Sequence, residues 1–535
     1  MSIASSVSPG TAAARNTGTL TAARAAMAAL ALALLFGVGR LATHAAFALG
    51  YPYGLDYGEG TVWQQMRGIV AGVGYAPLRL LPGFVYEYPP LYHGIVAATA
   101  ASFGLDELFA GRLVSLVATA ACSLLVGLLT GAMLGAAVEH RVRVAAAVIA
   151  ALVFATLPVV LTWSVLMRVD TLACAFTLAG MLLASRGLVK PAAAVWAGLA
   201  FAAALYTRQT CLPAPAAAFA VLLLARPRAA WLMLASAVAS GLIALAVLSI
   251  ATHGQFLIHI LVYNINRIVW AHAAKLALVL LAGAITLAIG GIGLAEALRR
   301  IDVRDWRTIR SRLAGDVALT TAAIVVLMLV LKTLMLPAIL KSGASDNYLI
   351  DWFAALAVLA GVAAVRPVRV AIGGSGSAPA AALLLFGIGL PVQMSAPRFF
   401  PDTAAHDAAA MARIAARIAA SGKPVVSDDM VLVMRGGQSV VWEPAIIAEL
   451  GAAGWYDERA LAQRVRRGDF GFFVTSGKRG SLLFDERFNP VIADAMAARY
   501  PHVEQVGGLT LHLPERRRTL PGVNGCNRRK GDCRQ

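Results

Sequence analysis

The sequence predicts an α-helical polytopic membrane protein of about eleven spans, closed by a small C-terminal α/β domain. Three observations predict it. Hydrophobic residues make up 59% of the 535 residues and charged ones 14%, against roughly 45–50% and about 25% in soluble domains. The apolar residues gather into runs near the ~20 residues that a spanning helix needs. After Arg398 the runs stop and charged, turn-rich sequence begins. A single water-soluble globule, a disordered chain and a fibrous repeat are excluded. The net charge of +18 does not point to nucleic acid, because Lys and Arg lie in short clusters between apolar runs, as in cytoplasmic membrane loops. Membrane lipids are the expected surroundings.

The candidate spans run 22–46, 110–136, 144–163, 171–187, 192–207, 210–225, 229–251, 276–298, 315–337, 349–366 and 378–396. Arg15 and Arg24 precede the first span and place the N-terminal segment, 1–21, in the cytoplasm. Alternation then puts Arg141/Arg143, Arg186/Lys190, Arg226/Arg228, the 299–312 cluster and Arg366/Arg369 on the same side. The odd count sends the C-terminus outside. Small residues near Ala45–Ala48 leave a cleaved signal peptide as the alternative to an anchor. The absence of a dense basic n-region favours the anchor. The wealth of Ala and Arg suits a bacterial chain, and hence an inner membrane.

Four external segments interrupt the transmembrane module, 22–397. The first, 47–109, is long and holds Tyr51-Pro-Tyr-Gly-Leu-Asp56-Tyr-Gly-Glu59-Gly and Tyr86-Glu87-Tyr88-Pro-Pro-Leu-Tyr92-His93. Its apolar part, 89–104, reads as an interfacial or re-entrant helix opened by the Pro pair. The second is the turn Leu166-Met-Arg168-Val-Asp170. The third, 252–275, carries His253, His259, Asn264, Asn266 and Arg267. The fourth is Lys341-Ser-Gly-Ala-Ser-Asp346-Asn347-Tyr348.

The external domain, 398–515, reads as helices over 404–420, 457–467 and 490–500, with strands over 424–427, 439–442, 470–475 and 509–513. The tail 516–535 is basic and expected to be disordered. Of the five Cys, Cys122, Cys174 and Cys211 lie in apolar runs as packing residues, and Cys526 and Cys533 can pair if the tail is external.

Ionisable groups near membrane depth are costly and read as functional with a named partner. Asp56 and Glu59 share a face if the chain is locally helical, and suit a general base toward a hydroxyl; the alternative is a polar turn. Arg168 and Asp170 either pair with each other or form a phosphate-binding Arg oriented by its carboxylate. Arg208 ends a span in Tyr206-Thr-Arg208-Gln209, either snorkelling or binding a lipid phosphate. Lys341, Asn347 and Tyr348 offer a cation, an amide and a phenol in one loop. The external histidines lack a zinc spacing. Asp428-Asp429 and Gly436-Gly437 read as turns, the latter a hairpin. No Walker motif is present, so ATP-driven transport is unsupported.

In order and sidedness, these segments resemble the GT-C superfamily of polytopic membrane glycosyltransferases, in particular its protein mannosyltransferase and aminoarabinose transferase branch. The resemblance is carried by the acidic residues after the first span, the aromatic-Pro-Pro-Leu-Tyr segment with Tyr88 and Tyr92, the Arg168/Asp170 turn, the late Asn347-Tyr348 and the C-terminal α/β domain. It implies a hexosyl- or pentosyltransferase using a polyprenyl-phosphate sugar donor and an external lipid, glycan or protein acceptor. Asp56 would be the catalytic base and Glu59 its assistant. Arg168, Arg208 and Lys341 would hold the donor phosphate, supported by Asp170, Tyr88, Tyr92, Asn347 and Tyr348. Two residues separate the acidic pair here, which leaves open which of them is the base. No cofactor or metal is expected, with a divalent cation as the alternative. The rival class is a lipid or solute transporter, which would show broken midplane helices and internal repeats; no repeat is evident.

Overall fold

The computed structural model describes residues 9–302, 304, 306–374, 377–395 and 407–515. The expected tail, its two cysteines and the start of the external domain lie outside these residues.

Each expected span contains helix, but the lengths are uneven. Helix α1 (Pro9–Gly50) is followed by α2 (Tyr57–Val70) and α3 (Leu91–Phe103). Then come α4 (Glu107–Leu134), α5 (His140–Thr156), α6 (Pro158–Trp163), α7 (Asp170–Gly187), α8 (Pro191–Thr207), α9 (Pro213–Ala225) and α10 (Pro227–Ala251). Among the described residues, five helices are long and apolar enough to cross a membrane: Gly18–Gly50, Glu107–Leu134, Pro227–Ala251, Val317–Leu340 and Asp346–Ala371. The pair His272–Ala282 and Ala284–Ile301 is long and apolar enough only when taken together, and it is bent by 67° as in a broken span or a re-entrant loop. The expected 144–163 span is split by Pro158 into α5 and α6. Pro191, Pro213 and Pro227 each stand at a helix start, where the missing N–H costs nothing. They shorten α8 and α9 below a full crossing.

Helix Ile350–Ala371 is the core of the bundle, packed against α1, α4, α5 and Ala284–Ile301. Its apolar window is 89% buried, whereas that of α10 is 6% buried. The outward face of α10 (Leu242, Ile243, Val247, Ile250) suits acyl chains. At one end of the bundle, arginines donate to helix-end carbonyls: Arg24 to Ala371, Arg143 to Gly135, Arg226 to Leu188 and Arg300 to Met133. The candidate site residues lie at the opposite end.

The segment 47–109 is more structured than expected. Asp56 caps α2 by accepting from the Gly58 N–H, and Asp106 caps α4. The expected 89–104 helix is α3, closed by left-handed Gly104.

The C-terminal domain carries one sheet in the order β1-β2-β4-β3: β1 Val426–Ser427, β2 Phe473–Thr475, β3 His502–Val506 and β4 Leu509–Leu513. β1 and β2 are parallel, while β3 and β4 form a hairpin through Gly507 and Gly508, both at positive φ. Strand β3 was not expected. The expected strand 439–442 is only a bridge from Trp442 to Gly83 of the segment 47–109. Gly436-Gly437 is not a hairpin turn but the end of helix Met430–Arg435, where the Gly437 and Gln438 N–H groups bond back to Met434 and Val433.

The domain is docked on the first segment. Gly83 exchanges backbone hydrogen bonds with Val441 and Glu443, and Arg435 makes a bidentate pair with Asp106. Tyr57 donates to Glu443, and Arg487 lies 4.4 Å over the Tyr57 ring.

Candidate active site

Asp56 and Glu59 do not converge. The N-cap position turns Asp56 toward the Arg168 turn, whereas Glu59, one helical turn later, points into the protein. Glu59 is fully buried and takes two hydrogen bonds from Arg112, at 2.8 and 2.7 Å. It also accepts from the Leu55 and Met167 N–H groups. Arg112 spends its remaining donors on the Ala48, Tyr51 and Tyr53 carbonyls. Every strong hydrogen-bonding position of the pair is filled, an arrangement that suits Glu59 to positioning and leaves it no free oxygen to offer a substrate. The pair ties the end of α1, the first segment, α4 and the Arg168 turn together.

Asp56 faces a looser group. Its Oδ2 lies 3.3 Å from Arg168 Nη1, with side chains 17% and 11% exposed. Arg168 Nη2 reaches the Tyr88 hydroxyl at 3.5 Å, and its Nε stands 3.6 Å from Asp170 Oδ2. Asp170 Oδ1 accepts from Arg208 at 2.7 Å and from Asn347 at 2.9 Å. Arg208 in turn lies 4.3 Å from the Tyr348 ring. The row Asp56–Arg168–Asp170–Arg208–Tyr348 therefore draws on the first segment, the α6–α7 turn, the α8 end and the 341–348 loop. Helix ends favour this placement: Asp170 opens α7 and Arg208 closes α8, each matching the charge of its terminus. Gly58 makes room, since a Cβ there would sit 1.2 Å from Arg168 Nη1.

Two buried polar atoms of the row, Arg168 Nε and Asp170 Oδ2, and one beside it, Asn347 Oδ1, have no hydrogen-bond partner among the described residues. Buried polar groups are nearly always satisfied, and exceptions mark functional sites or absent waters and ions. Burial, with Glu59 and Asp170 nearby, raises the Asp56 carboxyl above its usual range, opposed by Arg168 and the Gly58 N–H. Burial and Glu443 likewise raise Glu87, opposed by Arg168. Glu87 is thus an acid beside the row that the sequence reading did not select.

Tyr92 and Lys341 depart from expectation. Tyr92 is buried, and its hydroxyl is occupied by the Gly111 carbonyl and Ser115. Lys341 has an exposed side chain, and its backbone bridges to Ile268. No ion pair joins it to the row among the described residues. Lys332 is buried, stands 2.8 Å from Asp351 and lines a pocket together with Tyr348 of the row. The signal that could have found Arg112 and Lys332 is a cation inside an apolar run. Asp428 and Asp429 are buried in the C-terminal domain: Asp428 pairs with Arg487 and Ser476, and Asp429 caps helix Met430–Arg435. Among the described residues, no three His, Cys, Asp or Glu cluster to hold a metal.

Residues 88–253, which include Arg168, Asp170 and Arg208, match the family described as dolichyl-phosphate-mannose-protein mannosyltransferase. The fold is similar to that of ArnT from Cupriavidus metallidurans in the apo state, with a TM-score of 0.55 and 15% identity over 89% of this chain and 97% of that one. It is also similar to ArnT from the same organism bound to undecaprenyl phosphate, with a TM-score of 0.52 and 14% identity over the same shares. No curated protein sequence matches the chain. The chain is a multi-pass membrane protein with a fold like that of ArnT, and its residues 88–253 resemble the dolichyl-phosphate-mannose-protein mannosyltransferase family.

Proposed function

We propose that the chain moves a sugar from a polyprenyl-phosphate donor to the hydroxyl of an extracytoplasmic lipid, glycan or protein acceptor, with inversion. The fold, the family match and the ArnT structure bound to undecaprenyl phosphate support this reading. The observation that carries it is the under-satisfied row, which sets a carboxylate beside two arginines, one of them with an N–H that has no hydrogen-bond partner. The basic end of the bundle is assigned to the cytoplasm of a bacterial cell and the row to the outer face of its inner membrane.

The donor phosphate takes Arg168 and Arg208, and Arg168 loosens from Asp56. A carboxyl with a raised pKa is suited to proton abstraction near neutral pH. Asp56 receives the acceptor proton as the acceptor oxygen bonds to the anomeric carbon. The bond from that carbon to the phosphate oxygen breaks, and its electron pair leaves on the lipid phosphate. The two guanidiniums, already in place, meet the charge that develops there. Glu87 lies within reach of the charges of both Arg168 and Glu443, so the C-terminal domain is positioned to meet the acceptor.

The test is release of polyprenyl phosphate from a polyprenyl-phosphate sugar by the full chain in lipid nanodiscs. Asp56→Asn should lower single-turnover release by about 10²–10⁴-fold while donor binding changes little. Unchanged release would remove Asp56 from the chemistry.

A further inference from the structure

We propose that Lys332 is a third donor-phosphate cation, set in a pocket that seats the lipid phosphate at the membrane edge. The proposal rests on the lipid-donor reading above and adds a residue and a subsite to it. Lys332 lies in the last turn of helix Val317–Leu334, and Asp351 in the first turn of helix Ile350–Ala371. Trp352 donates to Thr333 at 2.9 Å and locks the two helix ends together. The Lys332 ammonium, 4% exposed overall, is 2.8 Å from Asp351. An ammonium has three N–H donors, and one carboxylate contact leaves capacity unused.

Lys332 lines a pocket with Thr210, Met335, Leu336, Ile339 and Tyr348. Two hydroxyls and a cation thus share one wall with three apolar side chains. Tyr348 connects the pocket to the row, because its ring lies under Arg208. Met335, Leu336 and Ile339 give this wall its apolar flank. Polar head beside apolar flank is the pattern an amphiphile with a phosphate head and a prenyl tail requires. The residue also sits at the right level. It lies 16 residues beyond Asp316, the cap at the basic end, so about 24 Å along the helix toward the row.

The competing account is a buried ion pair that only clamps two helices. Replacing such a pair with apolar residues of similar volume is often neutral or stabilising, which allows a clean test. The full chain in detergent is titrated with undecaprenyl phosphate, alongside K332M/D351L, Thr210→Val and Arg168→Ala. The expected result is wild-type thermal stability for K332M/D351L with binding weakened about ten- to hundredfold, the scale of one charge-assisted hydrogen bond. Thr210→Val should weaken binding several-fold with no change in stability, and it decides the question if the double variant does not fold. Inorganic phosphate alone should compete poorly, because the apolar flank is unused. Wild-type affinity in the folded variants, with Arg168→Ala weakened, overturns the role of Lys332 alone. Competition by inorganic phosphate as strong as by the lipid overturns the lipid seat. Absence of undecaprenyl phosphate binding to the wild type overturns the donor reading itself.

Discussion

Two acid–arginine pairs stand three residues apart in sequence and differ in every physical respect. Glu59–Arg112 is dry, bidentate and saturated, with five further bonds to backbone groups. Asp56–Arg168 is longer, partly exposed and flanked by polar atoms without partners. The first arrangement has nothing left to offer a ligand. The second has a carboxylate, donors and acceptors in reserve. Saturation separates a structural pair from a reactive one where residue type and spacing do not.

The largest way to break this contrast is to cut the saturated pair. Arg112→Ala leaves the Glu59 carboxylate buried without its cation, and should cost about 3–5 kcal/mol or prevent folding. A thermal melt of the purified protein measures it, and near-wild-type stability would show that the pair is dispensable. Arg168→Ala should act differently: about ten- to a hundredfold weaker donor binding, with insertion and melting intact.

Gly58→Ala sharpens the contrast without touching a charge. Its Cβ would occupy the place of Arg168 Nη1, so the guanidinium must withdraw from Asp56. Turnover should fall about ten- to a hundredfold. Equal activity would mean that Arg168 does not work from this position.

The smallest effect concerns the docked domain. Asp429 caps helix Met430–Arg435 and lies close to Gly54 of the first segment. Burial, with Asp428 beside it, raises its carboxyl to about 7. The folded pKa exceeds the unfolded one, so ionisation opposes folding increasingly as pH rises from about 4 through 7. Asp429→Asn keeps a capping side chain and loses the charge. It should melt like the wild type near pH 4 and roughly a few degrees higher at pH 8. A pH-independent difference would contradict the raised carboxyl.

Much of the fold is legible in the sequence because hydropathy runs and basic clusters act over whole helices. The prolines that shorten α8 and α9 are visible too, although the bend between Ala282 and Ala284 is not. The site is legible by level and not by direction. Alternation puts Asp56, Arg168, Asp170, Arg208, Asn347 and Tyr348 near one face, and the structure brings them together. It cannot say which way a side chain points: Glu59 turns inward, Tyr92 is spent on Gly111 and Ser115, and Lys341 points outward. Lys332, nine residues earlier, lay hidden inside an expected span. The contribution of Glu443 needed the tertiary docking of the C-terminal domain on the first segment.

The most direct test of the account compares the two carboxylates under one protocol. Asp56→Asn and Glu59→Gln are each measured for single-turnover sugar transfer and for melting temperature. The account predicts that Asp56→Asn loses turnover by about 10²–10⁴-fold at unchanged melting temperature, while Glu59→Gln lowers the melting temperature and any lost turnover follows the fraction unfolded. The contradicting result is full turnover in Asp56→Asn together with a stably folded, inactive Glu59→Gln.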